Sequence, residues 1–107
     1  MEKIPEKDWK IIRDLNDKLL HRFCESALSK IKNIIDNRGS ESHNAYLKIW
    51  KTLRKEDKEL SIMFDDLKRS NAINKLTAWK SFNLITDSEF NRFSKETKET
   101  VEFLNSL

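Results

Sequence analysis

The stretch LNDKLLHRFCESALSKIKNII, Leu15–Ile35, decides the fold. Its apolar residues Leu15, Leu19, Phe23, Ala27, Ile31 and Ile35 recur every four positions, and Leu20, Cys24 and Leu28 form a second row beside them. That spacing brings side chains to one side of an α-helix. A four-residue step outruns the ~3.6-residue turn, so the stripe winds around the helix. One flat neighbour cannot cover a winding stripe. The two ends of this helix are therefore expected to pack on different neighbours, or the helix to bend midway.

Working outward, Pro5 suits the first helical position, where its missing N–H costs nothing, and Glu6 and Asp8 complement the helix dipole. Gly39, the only glycine, follows Asp36 closely enough to stop the helix in a left-handed turn. Ser40 or Ser42 can cap a second helix reaching about Phe64. There Tyr46, Leu53, Leu60 and Leu67 recur every seven positions, interleaved with Trp50 and Phe64. Asp65 and Asp66 mark a break, as carboxylates suited to start a third helix over Leu67–Asn83. Its core face is Ala72, Ile73, Leu76 and Trp79. Thr86 and Glu89 have the spacing of a capping box, opening a short helix with Phe90 and Phe93 inward. Ser94 can cap a last helix through Val101 and Leu104. The expected fold is all-α, a single domain over 1–107: an antiparallel bundle of three main helices with one or two short C-terminal ones.

Composition agrees with that reading and narrows the function. One Gly and one Pro leave few turn makers, which suits long helices. One cysteine rules out an intrachain disulfide and fits a reducing compartment. Met1–Asp8 carries five charges and no apolar segment, so no export signal is read there, and no stretch has membrane-spanning length. A cytoplasmic location is expected. Lys and Arg number 21 against 18 Asp and Glu, a net +3 that is small for a nucleic-acid binder.

Candidate sites are few. His21, Cys24 and Glu25 share one helical face at metal-ligand spacing, but only His43 remains as a further nitrogen donor, so no metal or other cofactor is expected. Cys24 lies mid-helix without the helix terminus or cation that would activate a thiol. With one glycine there is no phosphate-cradling loop, and no nucleophile motif is present. The chain is not expected to be an enzyme. Lys48, Lys51, Arg54, Lys55 and Lys58 make a basic face on the second helix, a possible polyanion or nucleic-acid surface, bordered by Glu41, Glu56 and Glu59. Asp57 takes an apolar place in the seven-residue repeat. Either it is buried and ion-paired, with Arg13, Arg69 or Lys80 as candidate cations, or it sits at the stripe's edge.

SHNAYLKIWKTLRKEDKELSIMFDDLKRSN (Ser42–Asn71) carries His43, Tyr46, Asp57-Lys58-Glu59-Leu60, Phe64-Asp65-Asp66 and Arg69-Ser70. With LITDSEFNRFS (Leu84–Ser94), it resembles a group of small, functionally unassigned bacterial all-helical proteins. Some of these carry a label as peptide-transporter substrate-binding proteins. That label implies a large exported two-lobed receptor, for which 107 residues are too few, so the resemblance implies a helical fold and no activity.

The function expected from these residues is a non-enzymatic protein-interaction module. A homodimer would bury the apolar surface that Trp9, Trp50, Trp79 and the winding stripe supply, over at least the standard interface of roughly 1,600 Å². The alternative is polyanion binding through the lysine face.

Overall fold

A computed structural model describes residues 4–107; Met1–Lys3, the start of the segment read for an export signal, lie outside the described residues. The helices are α1 (Glu6–Asp36), α2 (Ser42–Phe64), α3 (Ala72–Ser81), α4 (Asp87–Phe90) and α5 (Lys95–Asn105), with a 3₁₀ turn at Arg69–Asn71. No strand occurs among the described residues, so the fold is all-α.

Pro5 sits one position before its expected place: its extended ψ of 147° makes it the N-cap, and its carbonyl accepts the Trp9 N–H. At the other end Asn37 closes α1, its side-chain amide and its backbone N–H both donating to the Asn33 carbonyl. Gly39 follows at φ +52°, in the left-handed region expected for it. Neither serine caps α2. Glu41 precedes the helix and Ser42 is its first residue, without a side-chain cap. Asp65 and Asp66 do break the chain, but as a corner: Asp65 is extended and Asp66 is left-handed at φ 56°. The third helix starts later than expected, at Ala72, because the Asn71 side chain ties the corner together. It donates to the Asp66 carbonyl and accepts the Lys68 N–H.

The core lies at one end of the molecule. Ile12, Leu15 and Leu19 of α1 meet Met63 of α2, Ala72, Ile73, Leu76 and Trp79 of α3, and Phe90, Phe93 and Val101 beyond. The Trp79 indole N–H donates to the Met63 carbonyl, so the largest buried side chain also satisfies its polar atom. Burying side chains of this kind stabilises a fold by ~1.5–3 kcal/mol each.

From this head α1 and α2 run on together as a two-helix arm. The longest dimension is 54 Å against 24 and 23 Å across, and the radius of gyration of 16.6 Å exceeds the ~13 Å typical of a compact chain this long. The winding stripe explains the shape. Its N-terminal part, Leu15 and Leu19, turns into the head, whereas Ile35 has rotated out to solvent. The two ends of α1 do pack differently.

Candidate functional site

Two faces of the arm behave differently because of which residues fall on each. Arg22 and Ser26 turn toward the head, lining a cleft with Phe23, Lys30, Glu56, Glu59 and Phe82–Leu84. Its charges are largely neutralised within the fold. Arg22 makes a two-pronged ion pair with Glu89 at 2.8 and 3.0 Å and a further bond to the Leu84 carbonyl. Lys30 pairs with Glu56. The Arg22 guanidinium holds the buried Glu89 carboxyl far below the usual carboxylate range, against the opposing effect of burial, and the Thr86 N–H, the Thr86 hydroxyl and Lys18 add to it. Glu89 raises the Arg22 pKa in return. The cleft is thus a structural joint between arm and head.

Two residues along a helix is ~200° around it, so Cys24 and Leu28 point away from the head. With Phe23, Ala27, Leu53, Asp57 and Leu60 they line an apolar groove running between the two helices. Large apolar side chains along this side are open to solvent, from 41% exposure at Ile35 to 60% at Leu28, with Tyr46, Leu47, Trp50 and Leu53 between. Cys24, Leu28, Ile31 and Ile35 are spaced four, three, four, and so are Tyr46, Trp50, Leu53 and Asp57 in the antiparallel sense. That is the spacing of a coiled-coil seam. Each helix therefore carries one seam, and both lie on the face opposite the head.

Lys48, Lys51, Arg54, Lys55 and Lys58 are all exposed, and among the described residues none of them is in an ion pair. They follow the outer side of α2, and Lys51 and Arg54 border a shallow depression with Tyr46, Leu47 and Trp50. Glu56 does not weaken this field as expected, because it turns inward to Lys30.

Asp57 is exposed, and no ion pair or hydrogen bond involves it among the described residues. Its candidate cations are engaged elsewhere. Arg69 binds the Ile4 carbonyl and Glu6, Lys80 lies over the Phe90 ring and pairs with Asp87, and Arg13 lies over Trp9. The carboxylate that α2 buries is its neighbour Glu56, at 5% exposure. His21 is exposed beside Glu25 at 3.9 Å, and no group of three or more metal-ligating side chains is assembled among the described residues.

Sequence reasoning missed Asp8, which is fully buried and binds Ser94 and Thr97 at the start of α5. A first-turn acid has a sufficient explanation in its own helix dipole, so nothing local signalled the distant role. No helix among the described residues is long and apolar enough to cross a membrane. Comparison with protein-family models, curated proteins and solved structures finds no match to the chain.

Proposed function

We propose that the protein is a non-enzymatic interaction module that binds a protein partner through the bare face of its α1–α2 arm. One observation carries the reading: two coiled-coil seams lie side by side on the face opposite the head, with Leu28, Tyr46, Trp50 and Leu53 at least two-fifths exposed. Contiguous apolar surface of this kind is rare on monomers and marks interaction sites. The arm has the form for it, since a helical face read through anchors three and four residues apart is a common mode of recognition. A chain with a single cysteine has no intrachain disulfide to maintain, which suits a reducing, cytoplasmic setting.

A second reading has its own observation. The exposed cations of α2 are in no ion pair among the described residues, and two of them, Lys51 and Arg54, flank the exposed rings of Tyr46 and Trp50, a combination that single-stranded nucleic acid can exploit by stacking. Photo-crosslinking in cells separates the two. A photoreactive residue at Leu53 is expected to give a protein adduct, and one at the exposed Asn74 of the head none. An RNA adduct from Leu53 would establish the second reading, and no adduct at all would refute both.

A further inference from the structure

We infer that the occupant of the bare face is a second copy of this chain, packed so that α1 of each protomer lies against α2 of the other. The inference rests on the arm being an interaction surface and names what covers it. The groove sets Cys24 and Leu28 alongside Asp57 and Leu53. The matched spacing of the two seams carries that register on, to Ile31 with Trp50 and Ile35 with Tyr46. Such a face is self-complementary in shape, because each seam offers the other the same rungs. Two copies make a four-helix bundle with the seams inside and a head on each outer side.

The size is sufficient. From Leu20 to Ile35 the face is ~24 Å long, and two helices of ~10 Å diameter make it ~20 Å wide. Two such faces amount to roughly 1,000 Å², the lower bound for a specific interface and less than the roughly 1,600 Å² expected from the sequence.

Charge selects the arrangement. At 100° per residue the outer edge of α1 beside this seam carries Glu25, with Lys32 and Asp36 paired to each other, while the outer edge of α2 carries Lys51, Arg54 and Lys58 and no carboxylate. A two-fold axis parallel to the arm lays each basic edge along the partner edge that carries Glu25. In that packing Arg54 and Lys58 lie at the height of the partner's Glu25. The alternative two-fold axis, across the arm, lays the two basic edges along each other, and like charges so placed are costly. Asp57 is the one charged residue within either seam, and a polar seam residue fixes register at some cost in stability.

The test is sedimentation equilibrium on the full chain with two exposed-site variants and their combination. Wild type is expected at twice its 12.8 kDa at tens of micromolar. Arg54→Glu and Glu25→Arg should each weaken the dimer about tenfold, and the double variant should recover wild-type affinity to within about threefold. Circular dichroism checks that all four proteins keep their helices. A monomeric wild type overturns the inference, and if Leu53 still crosslinks to another protein in cells, the interaction surface stands with a different occupant. A dimer that both single variants weaken without rescue in the double overturns the packing of α1 on α2.

Discussion

The carboxylate of Asp8, in the first turn of α1, accepts the backbone N–H of Ser94 at 2.9 Å and the Ser94 hydroxyl at 2.6 Å. The Thr97 hydroxyl donates to it as well, at 2.6 Å. A buried acid from one helix thus caps the start of another, where negative charge is favoured. Asp8→Ala would leave three donors without their acceptor inside the head. The expected loss is about 2–4 kcal/mol by urea denaturation, from the cost of unsatisfied buried donors. Asp8→Asn, which keeps one acceptor oxygen, should lose less. Equal losses for the two variants would show that the hydrogen bonds are not what holds α5.

Glu89 predicts the acid limb of stability. Its folded pKa is depressed, first by Arg22, from an ordinary value of 4.5. A depressed acid binds its proton less tightly when folded than when unfolded, so its contribution is complete above the unfolded value. It is lost as pH falls below that value toward the folded one. Urea midpoints measured from neutral pH downward should fall below about pH 4.5 in wild type. Glu89→Gln should start from a lower plateau and fall less steeply there. Parallel curves would place the acid sensitivity in other carboxylates.

Gly39 isolates a backbone effect. Its φ is +52°, and an added Cβ would meet no atom within 4 Å. Only the conformation itself resists substitution, so Gly39→Ala should cost about 1 kcal/mol in chemical denaturation. Asn, which tolerates this region better, should cost less. A neutral Gly39→Ala would mean that the turn relaxes to negative φ.

What was legible in the sequence was what local spacing determines. Thr86 accepts the Glu89 N–H and Glu89 accepts the Thr86 N–H, as a capping box read from four residues requires. Ser94 caps α5 in the same way through the Thr97 N–H. The core face of α3 was also readable, because Ala72, Ile73, Leu76 and Trp79 follow one helical period. What failed was decided by contacts distant in sequence. Asp8 reaches across 86 positions and Arg22 across 67. Of the two readings open for Asp57, the unburied one holds: the seven-residue row that contains it is the outward seam, whereas Ala45, Glu56 and Met63 form the side turned toward α1. A repeat gives a face; only the partner helix decides which face is buried. The arm's bare surface follows from that same ambiguity, since one hairpin cannot enclose both apolar rows of each helix.

Asp57 carries the last prediction, because it separates the stability of the fold from that of the assembly. In the single chain it is exposed and unpaired among the described residues, so removing its charge removes little. Under dilute conditions Asp57→Ala and Asp57→Leu should both lie within about 0.5 kcal/mol of wild type, as surface substitutions do. Glu56→Ala should cost more, since its carboxylate is nearly buried and its loss leaves Lys30 without a partner. On association the two Asp57 variants should part company. Packing the arm face against a second copy takes the Asp57 carboxylate out of water, a cost that leucine avoids while completing the seam with Leu53 and Leu60. Asp57→Leu should therefore tighten the dimer by about tenfold or more, and Asp57→Ala by less, for want of a side chain to fill the space. Sedimentation equilibrium and denaturation of the same three proteins read both quantities. If Asp57→Leu stabilises the dilute monomer but leaves association unchanged, the seam closes within the single chain and the arm face does not meet a copy of itself at Asp57.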